Sequence, residues 1–292
     1  METILQGRKS IIRIAPDCPT VLIGKPASST MRKWRADGRA SGYAEIARNK
    51  ALAQVAAGAD VFHVNGSAAG PGEATLLPRT IEVVQEAVEI PISIETGDPD
   101  ALAAALAVCQ GKPLVNAVTG GEQSLDLVLP LVARHGAAVV GRCEDEEGIP
   151  DDPYGRLEIA RRIIERAEAL GIPRTDVVID CLVQAVESDP ESALITLETV
   201  RLVKAELEVN MTLDISSICS DLPNCAALHQ PFMTMAVAEG VNAPIVNVTR
   251  DRQAILALDV LLGRDESAMR YIRYHHYRRS GMRGLVDWEM VG

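Results

Sequence analysis

The chain presents its reactive side chains where short apolar runs stop. Pro91-Ile-Ser-Ile-Glu95 is the clearest case: a carboxylate closes the run, and Asp98-Pro99 then opens a helix. The same arrangement places Asn65, Asn116, Arg142, Asp180, Asp214, the pair Ser216 and Ser217, and Asn247 at or near the ends of further runs. A carboxylate held at such a position inside a protein requires a partner or a ligand. Carboxylates accept hydrogen bonds from amino and ring N–H groups, and amides both donate and accept. Together the set suits a flat, neutral heterocycle with several donors and acceptors. Other chemistries lack their residues. No serine sits in a Gly-x-Ser-x-Gly elbow, and the His-rich ligand set of a catalytic zinc is missing, so no metal site is expected. His63, inside its run, reads as a packed strand residue.

The elements that must position this set can be taken in order. Ser10–Ile14 reads as a β-prone arm that closes one end of the structure. Core strands are expected over Thr20–Ile23, Val61–Asn65, Ile92–Glu95, Leu114–Ala117, Ala137–Cys143, Val177–Leu182, Asn210–Ile215 and Ala243–Val248. Helical spacing covers Tyr43–Ala57, Thr75–Val88, Pro99–Cys109, Ser124–His135, Asp152–Leu170, Glu191–Leu207, Ala226–Glu239 and Arg252–Leu262, with a terminal helix over Glu266–Arg279. Asp98 is the expected N-cap of its helix, with proline at the first helical position. Two loops stand out. Lys25–Arg39 is polar and irregular, and Gly66–Gly72 is glycine-rich but lacks a full dinucleotide fingerprint.

Strands that alternate with helices imply parallel βαβ units. Eight such units and no change of composition predict one domain over residues 1–292, a single (β/α)8 TIM barrel with a short N-terminal β arm and an extra C-terminal helix. An open doubly wound sheet is the alternative. In a barrel the strand ends converge on one mouth, where chemistry is placed.

Composition narrows the function classes. Lysine and arginine number 29 against 40 acidic residues, a net charge of −11, which argues against nucleic-acid binding led by phosphate neutralisation. The basic block Arg270–Arg283 reads as a solvated helix face or a subunit contact. With aromatics at 3%, the core must be built of Ala, Val, Leu and Ile. The six cysteines, at 18, 109, 143, 181, 219 and 225, form no Cys-x-x-Cys pair. Free thiols in a cytoplasmic protein are the simplest expectation. No signal peptide and no membrane span are expected.

Ala56-Ala-Gly-Ala-Asp-Val-Phe-His-Val-Asn65, Pro91-Ile-Ser-Ile-Glu-Thr96, Gly111-Lys-Pro-Leu-Val-Asn116, Val177-Val-Ile-Asp-Cys-Leu182, Thr196-Leu-Glu-Thr-Val-Arg-Leu-Val-Lys204 and Thr212-Leu-Asp-Ile-Ser-Ser217 occur in this order. As an ordered set, from about Val21 to Tyr277, they resemble the methyltetrahydrofolate:corrinoid-protein methyltransferases, pterin-binding barrels related to dihydropteroate synthase. The resemblance implies a pterin held in the barrel mouth. It also implies a methyl group moved between the pterin's ring nitrogen and the cobalt of a separate corrinoid protein. Tetrahydrofolate or methyl-tetrahydrofolate is then the substrate, and a corrinoid (cobalamin) protein the partner. By the same resemblance Asp180 and Asn116 grip the pterin, Asn65 closes the second strand beside it, and Glu95, Ser216 and Ser217 complete the binding set.

The chain departs from the family pattern at four places. Glu95 stands where an Asp is usual. The Gly-Glu-Arg-Ile-Asn run after the first strand reads Gly24-Lys-Pro-Ala-Ser28. Asp214-Ile-Ser-Ser217 replaces Gly-x-Ser-Asn, so Ser217 takes the position of the Asn beside the methyl-bearing nitrogen. Leu222-Pro-Asn-Cys225 replaces Leu-Pro-Asn-Arg. Transfer from the pterin requires its nitrogen to gain positive character. Ser217 can donate a hydrogen bond there, and a water held by Glu95 or Asp214 can carry the proton; these three are the expected catalytic residues. Two other readings compete: a dihydropteroate synthase-like condensing enzyme, and a non-catalytic barrel subunit of a corrinoid methyltransferase complex. Tyr271, Ile272 and Tyr274 on the terminal helix suggest a homodimer.

Overall fold

The computed structural model describes residues 1–25, 43–66 and 72–279. The expected loop Lys25–Arg39 beyond Lys25, the departures at residues 26–28, most of the Gly66–Gly72 loop and the end of the basic block lie outside these residues. Ten strands and nine α-helices are described. The strands are β1 (Thr3–Gln6), β2 (Ile11–Ile14), β3 (Ile23–Gly24), β4 (Val61–Asn65), β5 (Ile92–Glu95), β6 (Leu114–Thr119), β7 (Ala138–Arg142), β8 (Val177–Asp180), β9 (Asn210–Thr212) and β10 (Ile245–Val246). The helices are α1 (Tyr43–Ala57), α2 (Glu73–Ala87), α3 (Pro99–Val108), α4 (Glu122–His135), α5 (Pro153–Ala169), α6 (Ser192–Glu206), α7 (Ala226–Glu239), α8 (Val248–Leu261) and α9 (Met269–Arg279).

Eight parallel strands form one sheet in the order β10-β3-β4-β5-β6-β7-β8-β9. Its two edges meet: Ile245 N–H donates to Leu213 O at 2.8 Å, and Asp214 bridges Ile245 in parallel. The expected (β/α)8 barrel is thus what the chain forms. Strand side chains alternate between faces, and that alternation builds two cores. Val61, Leu114, Ala138, Val140 and Val178 fill the barrel. Phe62, Ile92, Val115, Val139 and Ile179 face outward and pack against Leu77, Ile81, Leu102, Leu129 and Ile163 of the helices. Caps act locally, as at Asp98, whose carboxylate accepts from Asp100 N–H at 2.9 Å ahead of α3.

Several strands are shorter than expected because side chains replace ladder partners. Thr20 N–H is held by both carboxylate oxygens of Asp259 at 3.1 Å, and Leu22 N–H by Asp60 at 2.8 Å, so β3 begins only at Ile23. β9 stops at Thr212 because Asp214 caps a 3-10 turn over Ile215–Ile218. α8 begins four residues before the expected Arg252, at Val248, and Asp251 turns back to accept from Asn247 N–H at 3.2 Å.

The N-terminal arm is a full hairpin, β1 antiparallel to β2, with Thr3–Gln6 adding a first strand to the expected Ser10–Ile14. It caps the N-terminal ends of the barrel strands. Leu5 and Ile14 enter the barrel core, Gln6 bridges Lys112, and Asn210 donates to both Thr3 Oγ1 and Ile14 O at 2.8 Å. α9 packs on α8, with Arg252 stacked 5.2 Å from the Tyr274 ring centre. Part of the face read as a dimer contact is therefore used within the chain.

The expectation of six free thiols is corrected at one pair. Cys219 and Cys225 are joined in a disulfide, their Cα atoms 5.6 Å apart. The intervening residues turn back through Asn224, at φ 57°, to bring Cys225 beside Cys219 at the start of α7. Cys18, Cys109, Cys143 and Cys181 are free. Among the described residues, no helix is long and apolar enough to cross a membrane, and no cluster of metal-ligating side chains is found.

Candidate active site

One pocket opens at the C-terminal mouth of the barrel. It is lined by Lys25, His63, Glu95, Asn116, Arg142, Asp180, Asp214 and Ser217, with Ile149, Leu182, Val183 and Ile245 as its apolar wall. Strand parity explains the membership. His63 and Asn65 share the inward face of Val61; Asn116 that of Leu114; Arg142 that of Val140; Asp180 that of Val178; and Lys25 that of Ile23. Register then aligns them. Asn65 pairs with Glu95 and Glu95 with Asn116 across β4, β5 and β6, while Arg142 pairs with Asp180 and Asp180 with Thr212 across β7, β8 and β9.

The carboxylates differ in what holds them. Glu95 Oε2 accepts from Asn65 Nδ2 at 2.6 Å and bonds His63 Nε2 at 2.7 Å. Burial works against its ionised form, but the hydrogen bond with His63, helped by Lys25 and Arg142, brings its pKa below the ordinary carboxylate value. Asp214 is also depressed: burial is outweighed by Lys25, which donates to Oδ2, and by Ser216, whose hydroxyl donates to Oδ1 at 2.6 Å. Asp180 goes the other way. Burial pushes its pKa up to about 7, although Leu182 N–H donates to Oδ1 at 2.9 Å and Arg142 is nearby. Asn116, 7% exposed, makes no side-chain hydrogen bond among the described residues, so its amide is available to a ligand.

The apolar wall is held from behind by Arg156, which is fully buried. Its guanidinium donates to Pro150 O at 2.9 Å, Cys181 O at 3.1 Å, Leu182 O at 3.0 Å and Gln184 Oε1 at 2.9 Å. These bonds tie together the two loops that carry Ile149, Leu182 and Val183.

Of the residues singled out in the sequence, Glu95, Asn116, Arg142, Asp180, Asp214 and Ser217 come together in this pocket. Asn65 stands behind Glu95 as its donor, and Ser216 turns its hydroxyl onto Asp214. Asn247 is not among the lining residues; it directly precedes α8, and its side chain makes no capping hydrogen bond. Two lining residues lie outside the expected set: His63, whose apolar run suggests packing, is buried in the strand yet reaches the pocket, and Lys25 stands in the sequence only as a departure from the family pattern. For His63 the available signal is parity, two residues before Asn65 on the same strand face; Lys25 has no such signal, because its inward neighbour Ile23 is identified only by the barrel core.

The pocket lies in a barrel mouth lined by strand-end acceptors and amides. Residues 33–247 match the family of pterin-binding enzymes, and the chain belongs to that family. Within it, the chain is 31% identical over 231 residues to the methylcorrinoid:tetrahydrofolate methyltransferase of Eubacterium limosum, covering 77% of this chain and 84% of that one. It is 28% identical over 196 residues to the methionine synthase of Mycobacterium tuberculosis, covering 60% of this chain but only 16% of that much longer protein. The fold is shared with dihydropteroate synthase from Xanthomonas albilineans in complex with 7,8-dihydropteroate. That likeness has a TM-score of 0.65 at 22% identity and covers 88% of this chain and 98% of the other.

Proposed function

We propose that this chain is a methyltransferase that seats tetrahydrofolate in the barrel mouth and exchanges a methyl group with a corrinoid carried by a separate protein. The observation that carries the proposal is the pocket's unused acceptor set in a chain similar to a methylcorrinoid:tetrahydrofolate methyltransferase. Asp180 keeps Oδ2, Glu95 keeps Oε1 and Asn116 keeps its whole amide without a protein partner among the described residues. A reduced pterin offers matching amino and ring N–H donors along its edges, and Ile149, Leu182, Val183 and Ile245 supply apolar surface for its faces.

In this reading Asp180 and Asn116 bind the pterin edge, and Glu95 accepts from a ring N–H. The corrinoid supplies or takes up the methyl group. When tetrahydrofolate is methylated, its nitrogen gives up a proton, and Glu95, kept ionised by His63, is the acceptor the pocket offers. In the opposite direction Ser217 donates a hydrogen bond to the methyl-bearing nitrogen. Asp214, with one oxygen on Lys25 and the other on Ser216, holds the turn that carries Ser217. The methyl group must be approached in line, so the corrinoid protein docks over the mouth. Cytoplasmic residence and a homodimer belong to the same proposal.

A dihydropteroate synthase-like condensation is less well supported. It needs a basic seat for a pyrophosphate leaving group. Lys25 and Arg142 do face the pocket, but they come from β3 and β7, and each is paired with a carboxylate, Asp214 and Glu144. The deciding experiment is single-turnover methyl transfer between tetrahydrofolate and a methylated corrinoid protein. Methyl-tetrahydrofolate formation that depends on this chain supports the proposal. Tight pterin binding with no transfer from any methylated corrinoid protein would leave the non-catalytic barrel subunit instead.

A further inference from the structure

We infer that His63 is a positioning residue of the pocket: it fixes Glu95 so that one carboxylate oxygen is spent inside the barrel and the other is presented to the ligand. The identity of that ligand rests on the pterin reading above; the geometry does not. His63 is 2% exposed and lies on β4, two residues before Asn65 on the same inward face. Both its ring nitrogens are used. Nε2 lies 2.7 Å from Glu95 Oε2, and Nδ1 lies 3.2 Å from the hydroxyl of Ser93, which is itself fully buried.

The proton inventory admits one arrangement for a neutral ring beside an ionised Glu95. A carboxylate only accepts, so Nε2 carries the proton, and Nδ1 accepts from Ser93 Oγ–H. Asn65 Nδ2 donates to the same Oε2 at 2.6 Å. One oxygen of Glu95 thus takes two donors from β4, and Oε1 is left as the acceptor. A residue needed only for packing would resemble Val61 or Val140, which fill the same barrel interior with apolar atoms.

The titratable and charged groups around Glu95 come from several elements: His63 from β4, Lys25 from the end of β3 and Arg142 from β7, with Asp180 on β8 and Asp214 beyond β9 also lining the pocket. His63 is the one in direct contact. Its hydrogen bond is the largest effect opposing the burial penalty on Glu95, ahead of Lys25 and Arg142. Losing it moves the Glu95 midpoint upward and lets the side chain turn.

The test compares His63→Leu, which removes both ring nitrogens, with His63→Gln, whose amide can donate from the Nε2 position. Carboxyl carbon NMR of the unliganded protein, with the Glu95 signal identified by its loss in Glu95→Gln, follows the Glu95 ionisation. Calorimetry with tetrahydrofolate follows binding across pH. The expected result is an upward shift of the Glu95 midpoint in His63→Leu and about tenfold weaker tetrahydrofolate binding near pH 7, both largely restored in His63→Gln. An unmoved midpoint in a folded His63→Leu protein, or the same shift in both variants, overturns the inference. Should the wild-type protein fail to bind tetrahydrofolate, the pterin reading falls, while the unliganded titration still decides the role of His63.

Discussion

Asn210 and Asn116 sit at opposite ends of one barrel, both buried, and are used in opposite ways. At the bottom, Asn210 donates to Thr3 and Ile14, and its carbonyl accepts from Asn242 at 2.7 Å. Asn242 in turn accepts from Met211 N–H at 3.1 Å, so the group is closed on itself. At the mouth, Asn116 meets no protein partner among the described residues, Asp180 is half-satisfied, and Glu95 is half-spent. A satisfied buried polar group stabilises the fold and is indifferent to solutes; an unsatisfied one is costly until a ligand arrives. The contrast locates function more firmly than residue type does.

Exchanging the two ends' side chains breaks or sharpens this contrast. The largest effect on binding is expected for Asp180→Ala. It should weaken tetrahydrofolate binding by roughly 1.5–3 kcal/mol, the range for hydrogen bonds to charged groups, while thermal unfolding shows no loss of stability. Asn210→Ala should do the reverse. Denaturant titration should report about 2–4 kcal/mol lost, because Thr3, Ile14 and Asn242 are left with unmet buried partners, with binding unchanged in the folded fraction. Equal effects of the two substitutions on both measurements would erase the distinction.

Next in size is a pH effect at Asp180. Its folded pKa, near 7, lies above the unfolded carboxylate value of about 3.9. Between those values the native state holds the extra proton, so this group's contribution to stability falls as pH rises through the window. Asp180→Asn should therefore be more stable than the wild type at pH 8, on the order of 1 kcal/mol, and lose that advantage near pH 4. Ligand binding runs the opposite way: donors on the pterin favour the ionised form, so wild-type affinity should rise as pH passes about 7. Asp180→Asn should abolish that rise.

Lys25→Met tests a carboxylate of the other sign. Asp214 is depressed in the folded protein, so its contribution is present above the unfolded value and lost as pH falls through the folded one. Without Lys25, that acid-side loss should shrink, and neutral-pH stability should drop. The smallest effect is expected at Ser217→Ala: methyl transfer slowed about tenfold or less, with tetrahydrofolate affinity nearly unchanged. Single-turnover rates set against calorimetric affinity measure that split.

Much of this is legible in the sequence. Period-two alternation ending in a polar residue marks a barrel strand, and it located Glu95, Asn116 and Asp180. What the sequence does not show depends on pairing rather than pattern. β1 has only Thr3–Gln6 to announce it, and it exists because β2 and Asn210 complete its hydrogen bonds. Lys25 acquires its place through Asp214, 189 residues away in sequence. His63 looked like packing because its run is apolar on both sides; its role appears only when β5 brings Glu95 alongside. The Cys219–Cys225 bond depends on how the segment before α7 turns, which spacing does not specify.

The most direct measurement is a crystal structure of the protein with tetrahydrofolate bound. The account predicts the pterin ring in the barrel mouth, its amino and ring N–H edge within hydrogen-bond distance of Asp180 and Asn116, and Glu95 Oε1 turned toward it. A pterin bound elsewhere, or seated with its edge away from Asp180, would contradict it.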